Sequence, residues 1–218
     1  MAARKNRDGW LAAVLGAASG LVALAFLRAR FAPDVVDLRH AARNVTYRKG
    51  QLAGEVKRTY RRKRDLADVD GIVLHQWGVS SVGTGAHRKV TAHLSVGHDG
   101  TVYYVHPFET WLASAPSMNG TKVHIEVAGL YGRDSIVPAA TIRGAQAAVK
   151  FARQEMRRQG GTLRDIWAHR QTQASRAMDP GPDIWRRVAV PSGLTMHPDE
   201  TRNQGKPLTD IWLGRGLA

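Results

Sequence analysis

From about residue 70 onward, short apolar runs alternate with glycine-bearing turns, the texture of a sheet built from short strands. Residues 72–77 (Ile-Val-Leu-His-Gln-Trp) read as a strand closed by Gly78, and 91–96 and 101–105 as two more. Between those two, Gly97-His98-Asp99-Gly100 supplies hairpin chemistry, because Asp-Gly accepts positive φ. Residues 123–127 predict a fourth strand and 166–169 a last short one. An amphipathic helix is predicted over 140–159. Its residues Ala145, Ala148, Val149, Ala152 and Met156 recur at three- and four-residue intervals, with Arg143, Lys150, Arg153, Arg157 and Arg158 opposite. Gly160-Gly161 stops it. The pattern predicts an α/β (α+β) domain with a mixed central sheet flanked by helices. The tail from residue 191 is expected to pack across that domain through Ile211 and Trp212.

The start of the chain has another pattern. Residues 10–27 carry no charge, and as a helix they would span roughly 27 Å against a hydrocarbon core about 30 Å thick. Arg4, Lys5 and Arg7 precede this segment, and Arg28 and Arg30 follow it. It fits a membrane anchor, a secretory signal cut near Ala23-Leu24-Ala25, or a buried helix. Residues 28–64 then hold twelve Lys/Arg against three acids and end in Lys57-Arg58-Thr59-Tyr60-Arg61-Arg62-Lys63-Arg64. That run reads as a solvated arm suited to anionic lipid or wall polymer. The expected organisation is an anchor or signal over 1–30, a basic linker over 31–69 and one domain over 70–218.

Composition narrows the chemistry. The 218 residues include no cysteine, which excludes disulfide scaffolds, thiolate metal sites and cysteine nucleophiles. A metal would have to be held by the nine histidines and the carboxylates. The net charge of +14 points to a polyanionic partner. A nucleic-acid reading rests on charge alone, since no helix-turn-helix, zinc-finger or ribonucleoprotein pattern accompanies it. No phosphate-binding loop, dinucleotide fingerprint or serine nucleophile elbow is present.

A catalytic zinc site without thiols needs three His or carboxylate donors. His75 and His169 each end a predicted strand, at a sheet's rim. Asp179 precedes Pro180-Gly181-Pro182, which fixes its backbone. Glu126 sits between Ile125 and Val127, so alternation turns it to the opposite face from those two. Singly, each residue also fits a core histidine, a turn former or a solvent-facing glutamate. His93 reads either as a groove-lining residue or as a core histidine bonded to a backbone carbonyl, and Trp77 either as a groove wall or as a core aromatic.

Taken in order, four blocks over about residues 70–187 resemble the zinc-dependent type-2 N-acetylmuramoyl-L-alanine amidases, the family that includes phage amidase lysozymes and peptidoglycan recognition proteins. They are Gly71-Ile72-Val73-Leu74-His75, the hairpin from Ala92 to Tyr103, Asn119 with Val123-His124-Ile125-Glu126-Val127-Ala128-Gly129, and His169-Arg170 through Asp179-Pro180-Gly181. The resemblance implies zinc ligands at His75, His169 and Asp179 and a catalytic Glu126. It implies substrate contacts at His93, Asn119 and Arg176, and cleavage of the amide between N-acetylmuramic acid and L-alanine in peptidoglycan. A peptidoglycan-binding module on the same fold is the alternative. The chain departs from the family pattern at Ala177, where an oxyanion-stabilising Lys or Thr is common, at Leu112, where a His is common, and at His124, where a Gly is common. The expected protein is a monomer, anchored to a membrane or exported to the cell envelope, bound to peptidoglycan and to anionic membrane or wall polymer.

Overall fold

The computed structural model describes residues 35–39, 47–48, 51–54, 63–78 and 84–215. The apolar segment 10–27 and most of the basic run before Lys63 lie outside them. Among the described residues no helix is long and apolar enough to cross a membrane.

A seven-stranded sheet organises the domain. Its strands are β1 (Val35–Asp37), β4 (Gly71–Gln76), β5 (Leu94–Val96), β6 (Val102–Tyr104), β7 (Lys122–Val127), β8 (Asp165–Ala168) and β9 (Thr195–Met196), in the spatial order β1-β6-β5-β7-β4-β8-β9. β2 (Tyr47–Arg48) and β3 (Gln51–Gly54) form a separate antiparallel pair. Only β5 and β6 run antiparallel within the large sheet, joined by the Gly97–Gly100 turn, and every other neighbouring pair is parallel. The mixed sheet is therefore as predicted.

β4 is buried at all six positions because it lies inside the sheet, between β7 and β8, with both faces covered. On one face Ile72, Leu74, Val123, Ile125, Val127, Ile166 and Ala168 form a single core with Ala145, Ala148, Val149, Ala152 and Met156 of helix α1 (Ala139–Arg158). The helix lies one residue from its predicted bounds. It approaches the hairpin so closely that Gly144 meets the backbone of Gly100, leaving no room for a Cβ at either position. Gly100 also takes φ +87°, as the Asp-Gly turn requires. On the opposite face Val73, Ala115, Met118 and Trp167 make a smaller cluster beneath the loop that leads into β7.

Two features depart from the linker expected over 31–69. Val35–Asp37 pairs in parallel with β6 as an edge strand, and Leu38 packs against the small cluster of Val90, Ala92, Tyr103 and Val105. Arg64, expected in the solvated basic run, is drawn inside. Its Nε donates to Phe108 O (2.8 Å), and its Nη1 donates to Asn119 O (2.9 Å) and Lys122 O (2.7 Å). Burial lowers the pKa of its guanidinium to about 10.

The tail packs as expected. Trp212, in α3 (Asp210–Leu213), is fully buried against Trp185, which follows the short helix α2 (Pro182–Ile184). The guanidinium of Arg170 lies 4.8 Å from the Trp212 ring centroid. Arg170 O also accepts from Lys206 N–H at 2.7 Å. The residues after β8 are thus held from outside by the end of the chain.

Candidate metal centre

Parallel strands β4, β7 and β8 end at one edge of the sheet, and their C-terminal ends deliver the chemistry. His75 is the penultimate residue of β4, Glu126 is its partner in β7, and His169 directly follows β8. Two short 3-10 turns then bring the chain back so that Asp179 meets them. Asp179 Oδ1 accepts the Gln76 backbone N–H at 2.7 Å, and Arg170 N–H donates to Asp179 O at 2.9 Å. The Gln76 side chain donates to Met178 O (2.9 Å) and accepts from Tyr131 N–H (2.7 Å). Backbone and side chain of Gln76 therefore clamp the third donor against the strand that carries the first.

The three predicted donors converge. His75 Nδ1 lies 2.8 Å from His169 Nδ1, and His169 Nδ1 lies 2.9 Å from Asp179 Oδ2. All three residues are buried, and their donor atoms lie within 4.8 Å of one another. Two imidazole nitrogens and a carboxylate oxygen directed at one point are a donor set that suits zinc. Burial, reinforced by His169 and His124, holds His75 well below the ordinary imidazole pKa and hence neutral, the form that ligates.

Glu126 shares the His75 face and is only partly exposed. Burial and the nearby Asp179 push its carboxyl well above the ordinary range, while Arg176 pulls it down. Arg176 lies on the exposed 3-10 turn Ala174–Arg176, and its charge also depresses His75. The structure thus brings His75, His169, Asp179 and Glu126 to one site, with the Arg176 charge acting on His75 and Glu126.

His93 and Asn119 make other contacts. His93 is fully buried and is the core histidine rather than the groove-lining one: His124 N–H donates to its Nδ1 (2.9 Å), and its Nε2 lies 2.9 Å from Thr110 O. Asn119 spends its side-chain carbonyl on Ser114 N–H (2.9 Å) and Ala115 N–H (2.7 Å), closing the loop before β7. Leu112 is likewise in the core. Trp77 packs against the small cluster of Val90, Ala92, Tyr103 and Val105, and buried His87 stacks on Tyr103 and lies 2.7 Å from Ser95 Oγ. His124, read only as a bulky departure, lies with Nδ1 3.1 Å from His75 Nε2. Its position two residues before Glu126 was the available signal, because both then share a strand face.

A family model for N-acetylmuramoyl-L-alanine amidase matches residues 65–182, just over half of the chain. The chain belongs to that amidase family. No curated protein matches it. Among solved structures it is similar to the endolysin N-acetylmuramoyl-L-alanine amidase LysCS of Clostridium intestinale, with TM-score 0.52 and 14% identity over 75% of this chain and 97% of that one. Bumblebee PGRP-SA gives TM-score 0.55 and 15% identity over 76% and 98% of the two chains. Peptidoglycan recognition protein-LE in complex with tracheal cytotoxin gives 0.53 and 11% over 74% and 96%. At such identities the likeness is one of fold. The family and fold together put this chain among peptidoglycan amidases or binders.

Proposed function

We propose that the protein is a zinc-dependent amidase that hydrolyses the bond between N-acetylmuramic acid and the L-alanine of the peptidoglycan stem peptide. The observation that carries this reading is the convergence of His75, His169 and Asp179 beside Glu126. These three side chains would hold the ion, which when bound supplies Lewis acidity toward the scissile carbonyl and toward water. Glu126 accepts the proton released as water attacks the carbonyl carbon and returns it to the departing L-alanine nitrogen, so the amide ends as a carboxylic acid and an amine, which ionise to carboxylate and ammonium. A carboxyl biased toward a raised pKa suits that second transfer. Arg176, whose charge acts on both His75 and Glu126, would offer positive charge to the oxygen that becomes anionic, a role Ala177 has no group to fill.

The substrate fits the protein's charge, since peptidoglycan and its attached polymers are anionic and the chain carries +14. The segment 10–27 would tether or export the enzyme, and the basic arm would hold it near membrane or wall.

The test is to incubate the full chain with purified peptidoglycan, with and without a chelator, and to analyse the soluble products by mass spectrometry. Stem peptides with a free L-alanine amine, abolished by the chelator, are expected. Sedimentation with the wall and no release of peptide would instead establish a binding module.

A further inference from the structure

His124 lies on the same face of β7 as Glu126, and its ring is fully buried. Its Nδ1 is 3.1 Å from His75 Nε2, with the ring centroids 5.3 Å apart and tilted by 53°, an edge approach suited to a hydrogen bond. A glycine at this position would leave that nitrogen of His75 facing no acceptor.

Donors that cannot change their role decide where the protons sit. The His124 backbone N–H donates to His93 Nδ1 at 2.9 Å, so that nitrogen must carry a lone pair. His93 Nε2 in turn lies 2.9 Å from Thr110 O and 3.0 Å from Arg64 Nη2, which donates toward it. His93 thereby pins the backbone of residue 124. One step nearer the site, the nitrogen of His75 turned toward His169 is Nδ1. For Nδ1 to present a lone pair, the His75 proton must be on Nε2, and the atom facing Nε2 is His124 Nδ1.

We propose that His124 is a positioning residue for the metal centre: by accepting the Nε2 proton of His75 it holds that ring in the tautomer whose Nδ1 faces the cation. The inference rests on the metal reading above. His124 must then carry its own proton on Nε2, a buried nitrogen with no hydrogen-bond partner among the described residues. Without the acceptor, the His75 proton is better placed on Nδ1, next to His169 Nδ1, and an incoming cation must displace it.

The test compares wild type, His124→Leu and His124→Asn as full chains. Leu fills the space and accepts nothing, whereas the Asn carbonyl oxygen replaces the imidazole Nδ1 as acceptor. Zinc affinity is measured by competition with a chromophoric chelator, and the ring protons of the metal-free proteins are assigned by nitrogen-15 NMR. Expected are an Nε2-protonated His75 in wild type, a loss of zinc affinity of about 10–100-fold in His124→Leu, and recovery to within a few-fold in His124→Asn. A folded His124→Leu protein that binds zinc as wild type does would overturn the proposal. So would a metal-free wild type with the His75 proton on Nδ1, a reading that stands even if His124→Leu does not fold. If wild type binds no zinc, the metal reading fails by itself, and the NMR assignment still decides whether His124 sets the His75 tautomer.

Discussion

Glu126 is the register partner of His75 in the parallel β4–β7 ladder, so the proposed proton shuttle and the first metal donor are neighbours on one face of the sheet. Backbone pairing sets their spacing, which makes it insensitive to the loops around the site.

Glu126→Gln keeps shape and hydrogen-bonding capacity but removes the base. The variant is expected to retain zinc at one equivalent and to lose at least about 100-fold in kcat on a defined muropeptide. Metal analysis alongside kinetics checks both halves, and near-normal turnover would move the role elsewhere.

His75→Ala and Asp179→Ala each leave two donors. Both are expected to emerge from gel filtration essentially free of zinc while wild type retains one equivalent. Zinc at about 100 times its dissociation constant should raise wild-type stability by about 2.7 kcal/mol and leave the variants unchanged. Calorimetry with and without added zinc reads this directly.

Arg64→Leu removes the donors that serve three carbonyls, those of Phe108, Asn119 and Lys122. Leaving these acceptors unpaired beneath the site face is expected to cost about 3 kcal/mol. A shift in the urea midpoint at constant slope would report it.

Buried His106 has its pKa lowered to about 4 by burial, against the opposing effect of the Val90 carbonyl. Its folded pKa thus lies below the unfolded value near 6.5, so between these values the unfolded chain binds more protons and stability falls as pH falls. The contribution of this one group between pH 7 and pH 5 is about 2 kcal/mol. His106→Gln can still donate to Val90 O but cannot take up a proton. The variant should lose about that much less stability over the same interval, as urea unfolding at the two pH values would reveal.

The strands and the helix were legible because each is a local pattern: alternation around Glu126, three- and four-residue spacing from Ala145 to Met156, and an Asp-Gly turn at Gly100. The donors were legible through their order and through the rigid residues after Asp179. Burial that depends on distant backbone was not. Arg64 looks like the last of a basic run, and only the carbonyls of Phe108, Asn119 and Lys122, drawn together by the fold, make it internal. Val35–Asp37 is too short to show a period, and its partner β6 lies far along the chain. His93 left two readings open, because its surroundings include Thr110 O and the backbone of His124, neither of which spacing reveals.

The strand order has a consequence for how the protein comes to be active. His75 and His169 are 94 residues apart in the chain, and they meet only because β4 lies between β7 and β8. Closing such long loops is slow, and a lone ion gripping two side chains of an unfolded chain would gain little by doing so. Here the sheet must assemble first, and the tail that packs Trp212 under Arg170 must be in place to hold the third donor's loop. During synthesis the first donor strand waits for more than half of the chain to follow it. On the proposed function, folding would create the metal site, and loading would be a late step that can be deferred until the finished protein meets zinc.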